Sequence, residues 1–316
     1  MEGIFLKKIA MQNKPLLLLM LINFHIIGNC QKLSISGTVF SSKDKKYIPY
    51  VSIRVIGSNL LIDADENGRF KIDVNLADTV LFTCIGYDLF SIEASLYRNR
   101  DSIFLKEKIY TLENVVVRNT TFTEVGIINT KQTRSFSGES LSDSYETATL
   151  MEIPNTTNTY RISKILFKQK NYSPDMPLRL HIYSSDESGL PGEELLKKQI
   201  IISENDYKDG ILQIDIKDQN IILGKNSFFV GLQWIKKSTA IMPKGRKNDI
   251  GVGETNALSR MLTFRRGRVL NYKWYVNFET GVYVPGDDNN RGAATPIPLK
   301  GNPINVLASV IVEAIW

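Results

Sequence analysis

Few side chains in this sequence can do covalent or metal chemistry. The chain holds two histidines, His25 and His181, and two cysteines, Cys30 and Cys84. His25 and Cys30 fall in an N-terminal segment that reads as an export signal, so the mature chain keeps one of each. Catalytic zinc takes three protein ligands, and no cluster of His and Cys is available to supply them. A Ser-His-Asp or Cys-His arrangement would have to use His181. No G-x-S-x-G elbow and no Walker loop is present. Gly251-Val252-Gly253 lacks a third glycine and a following helix, and reads as a loop. No metal and no cofactor is expected, and no catalytic residue stands out. Glycosidase chemistry needs only two carboxylates at a suitable separation. An exported hydrolase of that type therefore stays open as the alternative.

Binding chemistry is easier to find. In Phe264-Arg265-Arg266-Gly267-Arg268-Val269-Leu270-Asn271-Tyr272-Lys273-Trp274-Tyr275, the basic residues Arg265, Arg266 and Arg268 precede the alternate aromatics Tyr272 and Trp274. Those two rings would share one face of a strand, with the guanidinium groups in the preceding turn. Aromatic faces stack on sugar rings, and guanidinium groups take carboxylate or sulfate in bidentate fashion. The alternative reading makes Trp274 a core residue and the arginines solvated. The five residues lie in a wider basic stretch. Residues 236–273 hold ten Lys and Arg against Asp249 and Glu254, a net +8. The whole chain is +6, and the first thirty residues contribute three lysines and one glutamate. The rest of the mature chain is therefore about −4, and the basic stretch is a local feature that attracts anions.

The elements that position these groups are strands. Leu33–Phe40, Pro49–Ile56, Arg69–Val74, Thr79–Ile85, Asp88–Glu93, Ser102–Leu105 and Leu112–Val117 alternate apolar and polar residues or form short apolar runs, with turn residues between them. Period two at this spacing argues an all-β sandwich. Cys84 lies in the apolar run 80–85 and reads as a small buried hydrophobe. Asp63-Ala64-Asp65-Glu66-Asn67-Gly68 fits the first half of a calcium loop, but the twelfth position, which should be Glu, is Val74. Asn67-Gly68 reads instead as a hairpin turn. Apolar 43% and charged 23% match a globular protein and exclude a disordered chain, a collagen or a disulfide-dense mini-protein.

A second pattern follows. Residues 118–135 are polar and turn-prone and read as a linker passing into irregular first strands. Strands are expected at 160–169, 178–184, 198–203, 211–216, 227–235, 261–264, 272–279 and 306–314, with a helical turn at Glu193–Lys198. Eight strands suggest a jelly-roll-like β-sandwich over 136–316. Gly224 and Gly231 are expected to mark turns or bulges. His181 sits in Arg179-Leu180-His181-Ile182-Tyr183, where Leu180 and Ile182 take one face and Arg179, His181 and Tyr183 the other. A sheet-surface or half-buried histidine is expected there, rather than a ligand.

The order of residues in 33–117 carries a resemblance. Gly37-Thr38-Val39, Pro49, Asp65-Glu66-Asn67-Gly68-Arg69-Phe70, Gly86-Tyr87 and the closing Leu112-Glu113-Asn114-Val115-Val116-Val117 resemble the carboxypeptidase-regulatory-like domain. That resemblance implies a seven-stranded transthyretin-like sandwich over 31–117 and a cell-envelope setting, since the module is common in exported proteins of Bacteroidota and in their outer-membrane transporters. It does not imply peptidase activity. A metallo-carboxypeptidase needs a His-x-x-Glu pair, and His181 is followed three residues later by Ser184.

Compartment follows from residues 1–30. Lys7, Lys8 and Lys14 precede an apolar run over 15–27, and Gly28 and Cys30 are small residues before Gln31. This is the layout of a secretory signal cleaved before Gln31. An uncleaved anchor and a lipidated Cys30 stand as alternatives. No second long apolar run exists, so no transmembrane segment is expected in the mature chain. The combined expectation is a non-enzymatic exported envelope module. Its expected partners are a glycan or anionic envelope component and an outer-membrane protein, and nucleic acid is not among them.

Overall fold

The computed structural model describes residues 32–58, 60–97, 101–110, 121–129, 134–137, 145–154, 159–169, 177–235, 251–255, 263–267, 275–278, 281–283 and 305–315. The proposed signal, the strand expected at Leu112–Val117, and Arg268, Tyr272, Trp274 and Trp316 lie outside them. No helix among the described residues is long and apolar enough to cross a membrane.

The first unit is a sandwich of β1 (Lys32–Ser41), β2 (Ser52–Val55), β3 (Leu61–Asp63), β4 (Arg69–Asn75), β5 (Thr79–Thr83), β6 (Phe90–Glu93) and β7 (Ser102–Leu105). One sheet has the order β4-β1-β7 and the other β3-β2-β5-β6. Alternation in the sequence becomes alternation in burial. In β4, Phe70, Ile72 and Val74 are buried while Arg69, Lys71 and Asp73 are exposed. Ile72 pairs with Ile35 of β1. From the facing sheet come Ile53, Val80 and Phe82, and the rings of Phe70 and Phe82 meet edge to face at 5.3 Å. A side chain buried as fully as Phe82 stabilises the fold by about 1.5–3 kcal/mol.

The turn between β3 and β4 forms as expected. Asp65 accepts the backbone N–H groups of Asn67 and Arg69, and Gly68 takes φ 71°. Asp63 is turned into the protein, where it accepts the Ser52 hydroxyl at 2.7 Å. The strand β3 itself was not expected, because three residues are too few to show a period.

The second unit contains β8 (Phe122–Ile127), β9 (Arg134–Ser137), β10 (Tyr145–Glu152), β11 (Thr159–Lys168), β12 (Leu178–Ser185), β13 (Pro191–Glu194), β14 (Tyr207–Lys208), β15 (Ile211–Asp215), β16 (Ile222–Leu223), β17 (Ser227–Trp234), β18 (Gly251–Thr255), β19 (Thr263–Gly267), β20 (Tyr275–Phe278), β21 (Gly281–Tyr283), β22 (Asn305–Val306) and β23 (Ala308–Ile315). One sheet runs β13-β12-β17-β10-β19-β20-β21, a second β14-β15-β11-β23-β8 with β16 beside β11, and a small third β22-β18-β9. Most neighbours are distant in sequence, because the chain switches sheets as it proceeds. Leu180, Ile182, Val230 and Leu232 from the first sheet meet Ile162, Ile165, Val310 and Val312 from the second. The molecule is all-β, as expected.

Several local expectations are corrected. Phe122–Ile127, inside the stretch read as linker, is a strand paired along its length with β23. Residues 198–203 form no strand, only a single bridge between Ile201 and Arg179. Glu193 and Glu194 belong to β13 rather than to a helical turn. Gly231 sits inside β17 with unbroken register and marks no bulge. A Cβ there would lie 2.6 Å from the carbonyl oxygen of Thr147, so glycine admits the close approach of β10. The strand expected at 306–314 forms as β23 and lies between β11 and β8.

Candidate functional site

The strand β12 divides its side chains between two tasks. Leu178, Leu180 and Ile182 enter the core, while Arg179, His181 and Tyr183 stand on the opposite face. Register extends this second set across the sheet. Arg179 is opposite Gln233 of β17, and Gln233 is opposite Glu146 of β10. Next along, His181 is opposite Gly231, and Gly231 is opposite Ala148. The result is a polar surface on a sheet whose other face is apolar.

The first unit covers this surface. Arg179 reaches across to it, donating from Nη1 to Ser52 Oγ at 3.0 Å and from Nη2 to the Tyr50 carbonyl oxygen. Its Nη2 also lies 3.7 Å from Asp63 Oδ1 in a fully buried ion pair. Gln199 Nε2 donates to the Pro49 carbonyl at 3.0 Å, and the Cys84 thiol donates to Gln199 Oε1 at 3.6 Å. Ile85 packs against the second core. Gly86, at φ 90°, comes so near that a Cβ would lie 2.7 Å from the Lys197 carbonyl oxygen.

A cleft of about 420 Å³ remains between the two units. Its second-unit wall carries Tyr145, Glu146, His181, Tyr183, Glu194 and Gln233. Its first-unit wall carries Arg54, Cys84, Tyr87, Leu89, Lys108 and Tyr110. Four tyrosines therefore face a space bordered by cations and carboxylates.

The polar groups of the floor are bonded to one another. Tyr183 donates its hydroxyl to Glu146 Oε1 at 2.6 Å. The Glu194 carboxylate takes His181 Nδ1 at 2.6 Å and the backbone N–H groups of Ile182 at 3.0 Å and Leu196 at 3.2 Å. His181 Nε2 lies 3.0 Å from Gln233 Oε1, which also accepts from Arg179 Nη1 at 2.9 Å. Arginine can only donate, so that atom of Gln233 is the amide oxygen. Both ring nitrogens of His181 therefore face acceptors, an arrangement that favours the protonated ring. Burial opposes the charge, as does Arg179, but the carboxylates of Glu146 and Glu194 prevail and hold the pKa of His181 above its ordinary value. Burial also pushes the Cys84 thiol up to about 11, with the Arg179 charge opposing it. Tyr110 is raised by burial and then by the Glu194 and Asp88 carboxylates.

The residues singled out in the sequence fare unevenly. Arg265 and Arg266 lie within β19, not in a turn, at the register positions opposite Thr147 and Glu146. Arg266 thus prolongs the row Arg179, Gln233, Glu146 by one strand. Arg268, Tyr272 and Trp274 are outside the described residues. His181 is buried rather than half-buried, and Cys84 is half-buried beside the cleft rather than in a core strand. The sequence did not single out Glu146, Glu194, Tyr87 or Tyr110 as site residues. The one available signal was the Arg-x-His-x-Tyr alternation of β12, which showed a polar face but not what covers it.

No curated protein matches this chain. Among solved structures it is similar to a protein from Bacteroides uniformis ATCC 8492 provisionally named carbohydrate binding. That similarity has 10% identity and a TM-score of 0.19, over 90% of this chain and 98% of that one. It is also similar to the structure of infectious bursal disease virus Gx strain, at 12% identity and a TM-score of 0.25, over 91% of this chain and 66% of that one. The family model of the CarboxypepD_reg-like domain matches residues 35–117, about a quarter of the sequence. With its two facing sheets and apolar interior, the unit that builds the first wall of the cleft is a CarboxypepD_reg-like domain.

Proposed function

We propose that this chain is a non-enzymatic, exported binding module of the cell envelope that receives a glycan in the cleft between its two units. The observation that carries this reading is the state of the carboxylates. A general acid or base needs a proton it can exchange with a substrate. Glu194 is committed to three donors of its own chain, and Glu146 accepts the Tyr183 hydroxyl at the sheet surface. Such groups brace a wall. The tyrosines beside them supply what a sugar needs, an apolar ring face with a polar edge. The volume is within the range of small-ligand clefts, roughly 300–1,000 Å³.

Titration of the purified mature chain against an oligosaccharide panel, with product analysis of each mixture, tests the reading. Saturable binding without turnover, weakened by Tyr110→Ala, is the expected result. Turnover abolished by Glu146→Gln or Glu194→Gln would replace the module with a hydrolase. Export is part of the same proposal. Intact mass of the chain recovered from its host should correspond to a start at Gln31, and a lipidated Cys30 would overturn that start.

A further inference from the structure

Resting on the cleft as a glycan site, we infer that its glycan is anionic, a sugar bearing a carboxylate or a sulfate. The lining charges are sorted by depth. The carboxylates Glu146 and Glu194 lie at the floor, the first buried and the second largely so, and both accept hydrogen bonds from the chain. The cations Arg54 and Lys108 are exposed at the mouth. Between them stand Arg179 and His181. Arg179 is paired with Asp63 and His181 with Glu194, so the charges that an entering ligand meets first are those of the exposed Arg54 and Lys108.

A ligand entering from solvent meets the cations first, in a cleft whose protein walls focus their field. The negative charges are already compensated by short hydrogen bonds, so they oppose an incoming anion weakly. Lys108 shares the first-unit wall with Tyr87 and Tyr110. A sugar ring stacked on a tyrosine would hold an acidic substituent within reach of the ammonium group.

The test compares a trigalacturonate with its neutral methyl ester by calorimetry on the full mature chain, with a chondroitin sulfate disaccharide as the sulfate arm. The acid should bind about tenfold more tightly than the ester, as a charge-assisted contact allows. Raising the salt from about 0.05 to about 0.5 M should weaken the acid and spare the ester. The double variant Arg54→Gln, Lys108→Gln should erase the preference. Both side chains are exposed, and the acid–ester comparison in the unaltered chain stands even if the variant misfolds. Equal binding of acid and ester overturns the inference, as does a preference that survives the double substitution. If only neutral sugars of the panel bind, the anionic inference falls and the glycan site stands. If no sugar binds, both fall. Preference for the sulfate over the uronate would assign the charge to sulfate.

Discussion

The ring of Tyr183 lies flat against that of His181, centroids 5.4 Å apart and planes inclined by 6°. Two residues apart on one strand, both rings project from the same face, and each directs a polar atom at a different glutamate. Burial and Arg179 oppose a charge on the His181 ring, and Glu146 and Glu194 outweigh them. A His pKa raised by folding adds stability that is complete below the unfolded value of about 6.5 and is lost as pH rises through the higher folded value. Urea unfolding of the parent and His181→Gln from about pH 5 to about pH 9 should therefore show the largest gap at the acid end. A gap independent of pH would mean that His181 is neutral in the fold.

Arg179 and Asp63 form the buried ion pair across the seam. Replacing Arg179 with Met leaves Asp63 buried with Ser52 as its hydroxyl donor and removes the bonds to Tyr50 and Gln233. Breaking a buried pair in this way costs about 3–5 kcal/mol. Adding Asp63→Asn should restore part of that loss. A double-mutant cycle by denaturant unfolding reads the coupling, and a coupling near zero would show that the pair does not hold the units together.

Gly86 tests how closely the units must approach. Gly86→Ala places a methyl group 2.7 Å from the Lys197 carbonyl oxygen, at a φ of 90°. Gly57 has a φ of 78° and nothing within 4 Å of the corresponding position. Gly57→Ala therefore reports backbone strain alone, about 1–2 kcal/mol. Calorimetry should show a distinctly larger loss of melting temperature for Gly86→Ala, with the unfolding of the two units becoming separable. Equal losses would show that the seam gives way freely.

Cys84, with a thiol pKa of about 11, is almost wholly protonated near neutrality. Roughly one molecule in a thousand carries the thiolate at pH 8, and the thiolate is the reacting form. A disulfide reagent should label the native protein slowly and the urea-unfolded protein fast. Rapid labelling of the native chain would place Cys84 in a more open or more cationic site.

Alternation made much of the fold legible. In β4, Phe70, Ile72 and Val74 announce both the strand and its buried face. The run Phe228-Phe229-Val230 reads as a strand covered on both sides, and in β17 Phe228 enters the main core while Phe229 meets Phe264 on the other face at 5.5 Å. The strand β10 stayed hidden because its polar residues are buried. Thr149 is bonded to Thr263 at 3.0 Å and Glu146 to Tyr183, pairings that no local pattern displays. The cleft was hidden for a related reason. Arg179 and Asp63 stand 116 positions apart in the sequence, and nothing near either residue names the other.

The docked seam also bears on how the parts can be exchanged. Modules of this kind invite transplantation between proteins, because each has its own core. Here a transplant of residues 32–110 would carry away Ile85 without the apolar surface it packs on, and Asp63 without its guanidinium. A foreign module in its place would have to present a carboxylate to Arg179, a carbonyl to Gln199 and a glycine to Lys197. Substitutions on one side of that boundary constrain those on the other, so the two units would have to be exchanged as a matched pair.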